Sequence, residues 1–286
     1  MVDDTLPLCD YAVAFIDLLG QRAAMPNRHL PDNTDEAIAV VKKSVGRIVG
    51  TQKLFEDFYH SYASGESLYS KLPQSIQAAV PDMAPGKLKW QYFSDGLVVY
   101  VPLGSGLVSS PVNSIFALLL ASGMLCLIGL AGRSPIRAGI DVGWAVEYRP
   151  NELYGSAIAC AYKLESEIAQ WPRIVVGEGL VDYIKHYGTE GGIDPSSRFR
   201  RKMAARCMEL LATDIDGNTV VDYLGKAYRN VSKSSFDNHI EKARSFVEAQ
   251  ITQWRIIGDE KLVQRYENVR SYLSHGLGKT NETGEN

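Results

Sequence analysis

The apolar positions of the chain fall into runs with two different periods. Tyr11–Asp17 (YAVAFID) is a continuous apolar run ending in a carboxylate, the pattern of a central strand buried on both faces. Thr34–Ala63 carries Ile38, Val41, Val45 and Ile48 at helical spacing. Lys87–Phe93 and Leu97–Val101 are β-rich and joined by Ser94-Asp95-Gly96, a hairpin signal. An apolar helix is predicted near 113–131, a strand over Ile136–Glu147 and a helix over Glu152–Gln170. Arg173–Val176 reads as a strand and Gly179–His186 as a short helix. The order strand, helix, strand-turn-strand, helix, strand, helix, strand predicts an α+β fold, a largely antiparallel sheet with helices packed on it.

Beyond residue 188 the pattern changes. Cys207–Ala212 and Thr219–Tyr223 flank a turn at Asp214–Asn218, and Phe236–Trp254 and Glu260–His275 read as helices. The expected organisation is a core over 1–188, a C-terminal hairpin and helical extension of the same domain over 189–275, and a disordered polar tail over 276–286.

Composition narrows the class. The 286 residues are 45% hydrophobic and 22% charged, ordinary for a globular domain with a sizeable core. A net charge of −3 gives no sign of a polynucleotide partner. The basic cluster Arg198, Arg200, Arg201, Lys202 and Arg206 reads as a solvated loop. Four cysteines, Cys9, Cys126, Cys160 and Cys207, form no CxxC pair; with no signal peptide they read as reduced thiols of a cytosolic protein, with Cys160 a candidate to pack inside. Ile115–Ala131 holds Ser122 and Gly123 and lies between core strands, so a buried helix is expected and no membrane partner.

Two carboxylates have positions that suit chemistry. Asp17 ends the first buried strand and Asp95 occupies the next hairpin. On neighbouring strands they would meet at one end of the sheet and could hold two divalent cations that grip a triphosphate. Read singly, Asp95 is also a favoured turn residue and Asp17 a strand-end cap. Other motifs fail: the Asp214 loop has Thr219 and Gly225 where a calcium loop needs glycine and glutamate, the histidines lack HExxH spacing, and Gly104-Ser105-Gly106 lacks a P-loop lysine.

Four segments carry a family resemblance. FIDLLG (Phe15–Gly20), YFSDGLVVY (Tyr92–Tyr100), PIRAGIDVGWAV (Pro135–Val146) and LYGSAIACAYKLES (Leu153–Ser166) resemble, in order, the signature segments of class III nucleotide cyclase catalytic domains. The runs AYKLES (Ala161–Ser166) and WPRIVV (Trp171–Val176), with the long extension, resemble the Pycsar pyrimidine (uridylate or cytidylate) cyclases of bacterial antiphage defence. The resemblance implies a ferredoxin-like core, a homodimer with composite sites at its interface, and a nucleoside triphosphate substrate. It further implies two Mn²⁺ or Mg²⁺ ions held by Asp17, Asp95 and the Leu18 backbone carbonyl. Conversion of UTP to cyclic UMP is the favoured reaction. CTP or ATP cyclisation and a silent nucleotide-binding module are the alternatives. Phe15, Gly20, Gln91, Glu152, Ser156 and Lys163 fall at positions implied to meet substrate, with Lys163 also implied to serve catalysis.

The departures bear on specificity. Gln91 and Glu152 stand where purine cyclases place base-reading lysine and aspartate. An amide both donates and accepts, so Gln91 could face uracil or cytosine, or be an exposed strand residue. Ala159 replaces the helix asparagine and Lys163 the arginine, keeping the charge without the planar fork. Lys163 is a phosphate ligand or a solvated lysine. Helical spacing puts Glu152, Ser156, Ala159 and Lys163 on one face. Trp144 follows Gly143 where some catalytic halves carry a phosphate-binding arginine, and Arg137 matches a family arginine whose role is less sharply tied to substrate. Tyr59 and Tyr92 are aromatics that could stack on a base, with nothing in their positions to choose between them.

Overall fold

The computed structural model describes residues 9–20, 29–63, 69–79, 84, 86–93, 96–104, 112–232 and 235–275. Asp95, Ser105, Gly106 and the 276–286 tail lie outside them. One mixed sheet of eight strands organises these residues. Its strands are β1 (Cys9–Leu18), β2 (Lys89–Phe93), β3 (Gly96–Gly104), β4 (Ile136–Arg149), β5 (Glu152–Gly155), β6 (Ile174–Val176), β7 (Leu211–Thr213) and β8 (Thr219–Val221). They lie in the order β2-β3-β1-β4-β6-β8-β7, with β5 paired to β4. β4 and β6 run parallel, and the other pairs are antiparallel.

The helices are α1 (Thr34–Ser61), α2 (Gln74–Ala79), α3 (Val112–Ala131), α4 (Ser156–Lys163), α5 (Glu178–Gly188), α6 (Pro195–Met208), α7 (Lys226–Ser232), α8 (Phe236–Ile257) and α9 (Glu260–His275). The first four strands of the order, β2-β3-β1-β4, with α1 after β1 and α3 after β3, form a β-α-β-β-α-β unit. The expected α+β layout is present, and it places β1 at the centre.

Side chains alternate cleanly across β1. Ala12, Ala14, Ile16 and Leu18 join the main core with α3, while Tyr11 and Val13 join a second cluster with Ala157 and Ala161 of α4. Helix α3 is buried nearly all round, so its apolar run is the core helix that Ser122 and Gly123 suggested. Gly123 lets the Tyr228 ring lie on the helix backbone, where the phenol donates to the Leu119 carbonyl at 2.8 Å.

Several local expectations are corrected. Glu152–Gln170 is not one helix. The chain reverses through Asn151 in left-handed conformation (φ 62°), and Glu152 pairs with Arg149 in β5. Gly155 (φ 151°) then turns the chain into α4, a conformation open only to glycine. Glu152 therefore does not share a helix face with Ser156 and Lys163. After Lys163 the helix widens into a π-turn over Leu164–Ile168. The basic segment is a helix, because Asp194 caps α6 and Pro195 starts it. Arg200 pairs with Glu190 there, and Arg206 lies over the Phe116 ring. Cys207 is buried in that helix, so the strand after it shortens to Leu211–Thr213. Cys160 is exposed rather than packed. Ile38, Val41 and Val45 are 43–48% exposed, because Ser44, Thr51, Phe55 and Tyr59 form the inward face of α1.

Candidate active site

Register aligns the candidate residues in two rows on the sheet face that carries α4. Asp17 pairs with Gly96 on β3 and with Arg137 on β4. Gly96, which directly follows Asp95 in the chain, pairs with Phe93, so the end of β2, the start of β3 and Asp17 share one end of the sheet. One row further in, Gln91, Val98, Phe15 and Gly139 align across four strands.

Two glycines seat α4 on this face. A Cβ at Gly139 would strike the backbone of Ala161 and Glu165, and one at Gly143 would lie 2.7 Å from Ser156 Oγ. The spacing Arg137-x-Gly139-x-x-x-Gly143 thus makes a track for a closely approaching helix. The Phe15 ring meets Tyr162 of α4 edge to face at 5.1 Å, and the Ser156 hydroxyl donates to the Trp144 carbonyl at 3.2 Å. Lys163 is exposed at the end of α4, and Gly20 (φ 81°) turns the chain just beyond Leu18.

The sheet end holds an ion-pair triad. Arg137 Nε donates to Asp17 Oδ2 at 3.1 Å, and the same nitrogen lies 2.6 Å from Glu165 Oε1. Asp17 and Arg137 keep 22% and 19% of their side chains exposed, whereas Glu165 keeps 3%. The π-turn brings Glu165 inward to this position. Arg173 anchors that turn by donating to the Ile168 carbonyl at 2.6 Å, and it also pairs with Asp214 and Asp216. Both aspartates of the calcium-like loop are therefore taken by an arginine.

Motif reasoning named Arg137 without giving it a role and did not single out Glu165. A lone arginine two residues before a glycine gives no sign of its partner, and Glu165 faces inward only because of the π-turn. Gln91 and Glu152 also gain structural partners: Gln91 Oε1 accepts from the Leu153 amide at 3.0 Å, and Glu152 lies 3.9 Å from Arg149. Tyr59 is excluded as a base-stacking group, since it is buried and donates to the Gly86 carbonyl. Tyr92 is exposed. An open depression of about 530 Å³ on α8 is lined by that helix alone and encloses nothing.

Asp141, on the same face of β4, has a supporting role. Its Oδ1 accepts from the Leu180 and Val142 amides at 2.9 Å and so caps α5 from a different element. Burial pushes its carboxyl above the ordinary range, and backbone hydrogen bonds offset only part of that. A raised folded-state pKa favours the neutral form, so this contribution is complete below the unfolded pKa of about 4 and is lost as pH rises through the folded value. Asp141→Asn keeps an acceptor and does not titrate. The stability of the native chain relative to Asp141→Asn is expected to fall as pH rises from about 4 toward neutrality in urea titrations. A rise would contradict the assignment.

No protein-family model matches the chain, and no curated protein matches it. Among solved structures it is similar to a class III adenylyl cyclase-like ATP-binding protein from Pseudomonas aeruginosa, at 12% identity and a TM-score of 0.38. That alignment covers 72% of this chain and 44% of the other, so this chain spans less than half of that protein's length. A likeness at this level assigns neither activity nor ligand.

Proposed function

We propose that the chain is a metal-dependent nucleotide cyclase of the class III type that converts UTP to cyclic UMP and pyrophosphate. One observation carries the proposal: the register partner of Asp17 is Gly96, the residue after Asp95. It supports a carboxylate pair at one sheet end, the arrangement that the sequence segments implied. The donors are hard oxygens, the chemistry of Mg²⁺ and Mn²⁺ sites. Arg137 lies against Asp17, so a cation bound there would have to displace the guanidinium from that carboxylate.

Asp17, Asp95 and the Leu18 carbonyl would hold two divalent cations, which supply a lowered pKa for the ribose 3′-hydroxyl and charge neutralisation for the triphosphate. In the reaction the 3′-oxygen forms a bond to the α-phosphorus as the bond to the β-phosphate bridging oxygen breaks, and pyrophosphate leaves. Lys163 would place its charge on a phosphate, and Ser156, Phe15, Gly20 and Glu152 would border the nucleotide. With its carbonyl on Leu153, Gln91 would turn its amide N–H groups to the base, where they suit a pyrimidine carbonyl. Separate incubations with UTP, CTP, ATP and GTP test the base preference. Selective turnover of ATP would overturn the Gln91 assignment.

A homodimer with composite sites belongs to the same proposal. Trp144 of β4 and Tyr154 of β5, on the face of the sheet opposite α4, are 48% and 67% exposed, an aromatic pair suited to a second copy. The double variant Trp144→Glu/Tyr154→Glu is expected to weaken dimerisation about a hundredfold, read by sedimentation velocity. A wild-type chain that is strictly monomeric at micromolar concentration would contradict the composite site.

A second reading is favoured by the same triad. With Asp17 held by Arg137, and Ala159 and Lys163 on α4, the fold could bind a nucleotide and regulate a partner without turnover. A role in antiphage signalling rests on the sequence resemblance alone, and placement in the cytoplasm on the cysteine pattern of the sequence.

A further inference from the structure

Arg137 stands between two carboxylates from different elements, and one nitrogen serves both. Its Nε lies 3.1 Å from Asp17 Oδ2 and 2.6 Å from Glu165 Oε1. The N–H is directed at Asp17, whereas the approach of Glu165 Oε1 to the same nitrogen is an ion pair, so both carboxylates draw on one positive charge. The guanidinium does not lose its proton in proteins, so its charge can be moved but not removed. Glu165 is buried with 3% of its side chain exposed and needs a positive partner wherever Asp17 is engaged. Asp17 is partly exposed and can exchange partners.

We infer that Arg137 is a resident counter-cation that a divalent cation displaces from Asp17, and that Glu165 is the positioning residue that keeps the guanidinium as the cation binds. The inference rests on the metal-dependent reading of Asp17. Asp17, Arg137 and Glu165 together carry one net negative charge, which favours an incoming cation. Without the charge of Glu165, Asp17 and Arg137 would neutralise each other, and metal binding would have to break that pair. Arg173 acts further out, since its hydrogen bond to Ile168 fixes the turn that carries Glu165.

The test is Mn²⁺ binding by the full chain without nucleotide, read from the electron paramagnetic resonance signal of free Mn²⁺. Glu165→Gln is expected to raise the Mn²⁺ Kd about tenfold, the effect of one lost charge at this range. The double variant Arg137→Gln/Glu165→Gln restores the single negative charge on Asp17. Its Kd is expected to return to within about threefold of wild type. A purely structural role would make the double variant no better than the single one. The inference is overturned if Glu165→Gln binds Mn²⁺ as tightly as wild type. It is equally overturned if the double variant binds about tenfold more weakly than wild type, an arm that serves even where the single variant does not fold. Asp17→Ala separates the two levels. If it leaves Mn²⁺ binding intact, the metal reading itself fails; if it abolishes binding while Glu165→Gln matches wild type, only the displacement inference falls.

Discussion

Replacing Asp17 by alanine is expected to lower cyclic nucleotide formation about a thousandfold or more, while folding stability changes by about 1 kcal/mol or less. The two effects separate because of the triad. Asp17 would supply the carboxylate that binds the cations, yet its loss leaves Arg137 paired with the buried Glu165. No buried charge is stranded, so the large penalty for breaking a buried pair does not arise. Asp17 itself is partly exposed, which limits its contribution to stability. Product quantified by mass spectrometry and stability from urea titration measure both quantities on one preparation. Activity within tenfold of wild type would remove Asp17 from the chemistry.

Gly139→Val is expected to cost about 3 kcal/mol of stability, roughly a 6 to 10 °C fall in Tm, and to abolish turnover. The added side chain would enter the backbone of Ala161 and Glu165, which cannot turn aside as a flexible side chain could. Helix α4 would have to lift from β4, taking Tyr162 from Phe15 and Glu165 from Arg137. Gly143→Ala is the milder comparison, since it would press on the Ser156 hydroxyl and the start of α4. Thermal unfolding followed by circular dichroism reads the stability, and the nucleotide assay reads the loss of turnover. A Gly139→Val protein with native Tm would show that α4 is not seated as described.

The sequence made the centre of the fold legible and its edges much less so. β1, the β2–β3 pair and α3 are long apolar runs whose period or hairpin signal has one dominant solution. Asp17 stood out because a carboxylate ending such a run is costly unless it has a task or a partner. What the sequence did not reveal depends on backbone detail. Glu152 looked helical because its spacing matched Ser156 and Lys163, but Asn151 and Gly155, both in positive-φ conformations, make a short strand first. The inward turn of Glu165 follows from one widened helical turn, which carries no composition signal. The basic stretch became a helix through the Asp194 cap and through partners such as Glu190, a pairing that charge counting does not anticipate. In α1 the helical spacing of Ile38, Val41 and Val45 identifies the helix but not its inward face, which Ser44, Thr51, Phe55 and Tyr59 form.

The most direct measurement is a balance of products from UTP with Mn²⁺ and the purified full chain, resolving cyclic UMP, UDP, phosphate and pyrophosphate by mass. Cyclisation at the site of Asp17 requires cyclic UMP and pyrophosphate in equal amounts, with both lost in Asp17→Ala. UTP bound but recovered unchanged, or converted to UDP and phosphate, would contradict it.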